Sequence, residues 1–159
     1  MKIVLGIDNS NHAQRALDFV CRSKWPERTT VLVVSSVPLP VAVLTATVPL
    51  TGLEVGVWLK ELTRLHTRWV ERAEKRLEEA GLKARTMVPQ GDPRHVLVDV
   101  ARKQKADLIV IGAQGRSAVN RLLLGSVATH VVSHAPCTVV VVKREESKSR
   151  RPRRRTARG

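Results

Sequence analysis

Ala106-Asp-Leu-Ile-Val-Ile-Gly-Ala-Gln-Gly-Arg-Ser-Ala-Val-Asn-Arg-Leu-Leu-Leu-Gly-Ser126 is the stretch whose reading decides the fold. It opens on an apolar run, Leu108 to Ile111, with the length and β-branched content of a buried strand. Gly112 and Gly115 then punctuate a polar loop, and a second glycine turn, Gly125-Ser126, opens a helix-like segment. A strand that ends in a glycine loop and feeds a helix start is where α/β proteins hold phosphates. Glycine lets the backbone approach the anion, and the unpaired N–H groups of the helix N-terminus point at it. The stretch therefore predicts a phosphate site. It is not a Gly-x4-Gly-Lys-Ser/Thr loop, so no lysine is fixed at a terminal phosphate, and it lacks the Gly-x-Gly-x2-Gly dinucleotide fingerprint. A pair of tight turns with no ligand is the competing structural reading.

The pattern repeats outward from this stretch. Lys2 to Ile7 reads as a first buried strand, and Asp8-Asn9-Ser10 supplies turn and N-cap residues for a helix over Asn11 to Ser23. Val31 to Val37 reads as a second strand, followed by a Pro/Thr/Val loop over residues 38–53. A long amphipathic helix is predicted over Glu54 to Ala80, its stripe made of Trp58, Leu62, Leu65, Trp69, Ala73 and Leu77, with Gly81 as C-cap. Leu82 to Pro89 alternates as a third strand near a sheet edge. Asp92-Pro93 starts a helix that reaches about Lys105 by the same periodicity. Asp107 to Ile111, a helix over Gly125 to His134, and a fifth strand over Thr138 to Val142 complete the alternation. This order predicts a five-stranded open parallel sheet, doubly wound, with helices on both faces and right-handed crossovers. Ligands in such sheets bind beyond the C-terminal strand ends, where strand order reverses. If the first strand neighbours the fourth, Asp8 and Gly112 wall that point.

Composition agrees. The 159 residues are 43% hydrophobic but only 3% aromatic, with no Tyr, so the core must be Val, Leu, Ile and Ala. So few aromatics argue against stacking platforms for single-stranded nucleic acid. Cys21 and Cys137 form no CxxC pair, which predicts a reduced, cytoplasmic protein. The uncharged stretch Thr29 to Leu53 is interrupted by Pro38, Pro40 and Pro49 and predicts no transmembrane segment; the short run after Met1-Lys2 predicts no signal peptide. Net charge is +14, and half of it lies in residues 143–159, which carry nine Lys/Arg against two Glu.

The spacing Gly112-x2-Gly115-x9-Gly125-Ser126 resembles the nucleotide-binding signature of the universal stress protein family, in its ATP-binding class. Ala106 to Val110 before it, His134-Ala-Pro-Cys-Thr-Val-Val-Val-Val142 after it, Gly6-Ile-Asp-Asn-Ser10 and Gly91-Asp-Pro93 match in order and spacing. The resemblance covers residues 1–143 and implies a Rossmann-like, adenine nucleotide alpha hydrolase-like domain, leaving 144–159 as a basic disordered tail. It implies ATP, with Mg2+, as ligand. Backbone N–H groups of Gly112, Gly115, Gly125, Ser126 and Val127 would cradle the phosphates, with the Ser126 hydroxyl as a further donor. Arg116 and Ser117 would reach phosphate oxygens, Asp8 would accept from the ribose or the adenine side, and Val37 would meet adenine through its main chain. The family's Asp-Gly-Ser turn is Asp8-Asn9-Ser10 here, and Asn tolerates the left-handed backbone such a turn needs.

The function so implied is a stress-response ATP-binding module acting through an unknown protein partner, a homodimer through strand 138–142. No base for catalysis is evident, so slow hydrolysis or autophosphorylation is the most that is expected. The alternative is binding of nucleic acid or an anionic surface, without sequence preference, through the basic tail, with nucleotide binding vestigial. His130 and His134 lie four apart but lack further ligands in sequence, and read as ordinary helix residues rather than a metal pair. Cys137 reads as a small core residue, and Trp58 and Trp69 as core anchors.

Overall fold

The computed structural model describes residues 1–38, 52–115 and 124–143. The predicted loop over 38–53 lies almost wholly outside these residues, as do Arg116, Ser117 and the tail 144–159. The elements alternate as β1 (Lys2–Gly6), α1 (Asn11–Arg22), β2 (Thr30–Val34), α2 (Gly52–Glu79), β3 (Lys83–Met87), α3 (Pro93–Gln104), β4 (Leu108–Gly112), α4 (Ser126–His134) and β5 (Thr138–Val142). All neighbouring strands pair in parallel, in the order β3-β2-β1-β4-β5. The order reverses between β1 and β4, where Ile3 to Leu5 stand in register with Leu108 to Val110.

Both faces of the sheet are covered, which is why its central strands read as unbroken apolar runs. Ile3, Leu5, Val31, Val33, Leu108 and Val110 face α1 and α2 in one core. Val4, Val34, Ile109 and Ile111 face α3 and α4 in the other. The helix ends follow local chemistry. Ser10 caps α1, its side chain accepting from the Ala13 N–H at 3.1 Å, while the Ser10 N–H donates to the Asp8 carboxylate at 3.0 Å. Asn9 takes the left-handed conformation at φ 61°, so the turn keeps the shape that the Asn substitution was expected to allow. Gly81 ends α2 at φ 81°, with the Leu82 N–H returning to the Leu77 carbonyl. Asp92 caps α3 ahead of Pro93, and the hydrogen-bonded Arg94 guanidinium holds its carboxyl down at about 2.

The stripe of α2 departs from expectation. Trp69, Val70, Ala73 and Leu77 are buried, but Trp58 and Leu65 are exposed at 41% and 39%, so Trp58 is not a core anchor. Length explains this. Twenty-eight residues make a helix of about 42 Å, whereas a five-residue strand spans about 17 Å. Only the C-terminal part of α2 can lie over the sheet. Leu77→Ala should therefore cost about 2–5 kcal/mol and Leu65→Ala no more than about 0.5 kcal/mol, read as the difference between their urea midpoints.

Candidate functional site

A cavity of about 320 Å³ opens at the C-terminal ends of β2, β1 and β4, at the reversal point. Its polar end is built by the opening stretch of sequence. Gly112, the last residue of β4, lies under the first turn of α1: a Cβ there would stand 2.6 Å from the His12 carbonyl carbon. Gly115 lies against the first turn of the chain, and its Cβ would fall 2.8 Å from the Asp8 Oδ2. Asp8 and the glycine loop are thus brought together as the strand order requires. The Ser10 hydroxyl donates to the Gln114 carbonyl at 3.4 Å, a second tie between the two loops.

The second glycine turn folds onto the first. The Gly125 N–H donates to the Ala113 carbonyl at 2.8 Å, and Ala113 in turn donates to Val142 at the end of β5. Gly125 caps α4 without a side-chain hydrogen bond, and the first bond within the helix runs from the Thr129 N–H to the Gly125 carbonyl. The N–H groups of Ser126, Val127 and Ala128 therefore have no partner within the helix, and all three residues line the cavity. Together with the helix dipole they make a site for an anion. Among the described lining residues Asp8 is the one carboxylate and no Lys or Arg contributes. Among the described residues, the donors nearest to an anion at the start of α4 are backbone N–H groups and the Ser126 hydroxyl. A single carboxylate beside phosphates also suits Mg2+, which usually takes one or two carboxylates and keeps much of its water.

Of the residues singled out in the sequence, Asp8, Gly112, Gly115, Gly125, Ser126 and Val127 line this one cavity. Val37 does not join them. It is fully buried, its N–H donates to the Pro89 carbonyl and its carbonyl accepts from the Gly91 N–H, each at 2.9 Å. Its main chain makes an isolated bridge to the segment after β3. The cause is that β2 stops at Val34, with the chain continuing alongside residues 87–91. Ser36 and Pro38, on either side, line the cavity instead. Sequence reasoning also missed His66 on α2, buried at 4% and facing the same space. Its spacing three before Trp69 and four before Val70 put it on the buried stripe, a signal present in the sequence.

His130 and His134 stack at 4.1 Å, and His95 of α3 joins them edge-on at 4.7 Å. Among the described residues no cluster of three His, Cys, Asp or Glu is arranged to hold a metal. Cys137 is partly buried against the core beneath α3 and α4, and burial raises its thiol pKa.

The sheet order, the two covered faces and a cavity at the reversal point define a Rossmann-like α/β protein. The model of the universal stress protein family matches residues 1–143, and the chain belongs to that family. The universal stress protein MJ0531 of Methanocaldococcus jannaschii is 44% identical over 75 residues, a match that spans 47% of this chain and 44% of that protein. A universal stress protein of Thermus aquaticus is 34% identical over 148 residues, spanning 89% of this chain and 97% of that one. The solved structure of MJ0577 superposes with a TM-score of 0.80 at 26% identity, covering 92% of this chain and 97% of its own. A universal stress protein in complex with cAMP superposes at 0.61 with 24% identity, covering 90% and 96%. A member from Arabidopsis thaliana with AMP bound superposes at 0.63 with 14% identity, covering 91% and 92%. These last two share the fold. No helix among the described residues is long and apolar enough to cross a membrane.

The close approach at Gly112 has a measurable cost. Its Cβ would meet backbone, which cannot swing aside, so Gly112→Ala should lose about 1–3 kcal/mol in urea unfolding. Gly56→Ala, on α2 with nothing within 4 Å, should instead gain about 0.5–1 kcal/mol.

Proposed function

We propose that this chain is a cytoplasmic, ATP-binding stress-response module, with residues 1–143 as the nucleotide-binding domain and 144–159 as a basic tail. The observation that carries the reading is the single cavity wall made by Asp8, Gly115 and the uncapped start of α4. Phosphates would take the N–H groups of Gly112, Gly115, Gly125, Ser126 and Val127, with the Ser126 hydroxyl, Arg116 and Ser117 as further donors. Asp8 would accept from the ribose or share Mg2+ with the phosphates. Family neighbours solved with cAMP and with AMP support an adenine nucleotide as the ligand class. The protein would bind and signal through a protein partner, with at most slow hydrolysis or autophosphorylation. Two copies would pair through the edge strand Thr138–Val142, whose Val run is only half-buried in one chain.

Nucleotide released on denaturing the purified protein, and a rise in melting temperature with ATP and Mg2+, are the expected results. Gly115→Val should abolish the rise, since its side chain would displace the Asp8 carboxylate and fill the phosphate approach. Absence of both signals in the unaltered protein would sink the reading.

A second reading rests on charge: half of the net +14 sits in residues 143–159. Such a tail binds polyanions without reading sequence. Truncation after Lys143 should lower the salt concentration that elutes the protein from heparin and leave ATP binding intact. Equal elution of the two forms would count against a role for the tail.

A further inference from the structure

Helices α3 and α4 meet through a cluster that does not line the cavity. His130 of α4 stands between two other imidazoles. It stacks on His134, one turn on, at 4.1 Å with the planes 13° apart, and His95 of α3 meets it edge-on at 4.7 Å. Three of the chain's five histidines thus bridge the two helices in one contact. His130 is half-buried, while His95 and His134 are exposed and reach solvent protons directly. His134 Nδ1 lies 2.9 Å from the His130 carbonyl. A carbonyl only accepts, so Nδ1–H donates, and a second proton on that ring goes to Nε2.

The contact lies where it can act on the cavity. His95 falls between Pro93 and Leu97 in the first turns of α3, and His130 two residues after Ala128 on α4. Pro93, Leu97 and Ser126 to Ala128 all line the cavity. The spacing of α3 and α4 therefore sets how far two of its walls stand apart.

The charged and titratable groups around His130 are His134 on its own helix and Asp92, Arg94 and His95 from the start of α3. Arg94 Nε donates to both carboxylate oxygens of Asp92, at 3.0 and 2.9 Å. That bond holds the Asp92 carboxyl down at about 2 and raises the pKa of the guanidinium. Neither group changes charge through the imidazole range, and the Asp92 charge is already paired. A proton on one ring then sets a cation in contact with the next, beside Arg94. Desolvation lowers the pKa of His130, and the charges of His134, His95 and Arg94 lower it further against the pull of Asp92.

We propose that His95, His130 and His134 form a proton-sensitive joint between α3 and α4: neutral rings hold the helices together, and rings charged by a fall in pH push them apart and widen the cavity. The closed joint binds fewer protons than the opened one. Its contribution to stability is present in full above the ordinary imidazole value, about 6.5, and is lost as the pH falls from there through the lowered value of His130. The joint belongs to the helices and holds whether or not the cavity takes a nucleotide.

The test compares the full chain with His130→Phe, which keeps a ring in the contact and takes no proton. Amide hydrogen exchange, corrected for the intrinsic rate at each pH, reads the opening of α3 and α4. In the unaltered chain opening should rise as the pH falls from about 7 to about 5, by at most about tenfold per pH unit for each proton taken up. The rise should be larger in α3 and α4 than in α1 and β2, and His130→Phe should flatten it. Should that variant fail to fold, His130→Gln replaces it. Affinity for cAMP, whose phosphodiester keeps one charge over this range, should fall with pH in the unaltered chain and hold level in the variant. The same pH dependence in both proteins, or opening spread evenly over the fold, overturns the joint. Tighter binding of cAMP at low pH overturns the widening. If cAMP binds at neither pH, the nucleotide reading loses support and the exchange measurement still decides the joint.

Discussion

The structure depends on one steric condition: the end of β4 must pass beneath the first turn of α1 with no side chain between them. Gly112 satisfies it, since any Cβ would lie within 3 Å of the His12 backbone. With that approach made, β4 can pair beside β1 although the paired positions, Ile3 with Leu108 among them, lie more than a hundred residues apart in sequence. The turn after β1 then meets the loop after β4. Asp8 comes against Gly115, Ser10 bonds to Gln114, and Gly125 closes back onto Ala113. Among the described residues, these are the ties that shape the glycine end of the cavity.

The rest of the fold supplies the other walls as a consequence of covering the sheet twice. Helices α1 and α2 bury one face and α3 and α4 the other, so helix starts converge above the strand ends from both sides. One of these starts, that of α4, has no side-chain cap and opens into the cavity. Another, that of α3, is capped by Asp92 with Arg94 locked across it. The two helices pack against each other yet differ in which N-terminus is left to meet a ligand. The difference lies in Gly125, which has no side chain to cap with, against Asp92, whose carboxylate caps.

Elements whose signals are local were legible in the sequence. Buried strands, the Asp92-Pro93 helix start, the Gly81 stop and the turn at Asn9 each announce themselves within a few residues. The sheet order followed from chain logic, and with it the meeting of Asp8 and the glycine loop. What was misread depends on relative length and long-range pairing. The stripe of α2 runs past Trp58, but where the sheet ends beneath it is set by strand lengths elsewhere. Val37 carries the apolar character of a strand, but its partners are Pro89 and Gly91, fifty residues on. The spacing of His66 to Trp69 and Val70 marks it as buried, but its bond to Ser35 depends on how α2 lies over β1 and β2, which no local spacing gives.

A phosphate site made of backbone N–H groups has a particular energetic character. Its donors are fixed by the glycine turns and the helix start, and they face the same oxygens whether the ligand is intact or reacting. Binding of that kind is uniform: it stabilises ground and transition states alike and lowers the dissociation constant without raising a rate. A loop that placed a lysine at the terminal phosphate would add a charge where charge develops during transfer. The glycine spacing of this chain has no lysine in that role, and Asp8 sits beside Gly115 rather than as one of two facing acids. The backbone donors of the described site are of the kind that serve retention, which is the role proposed for them.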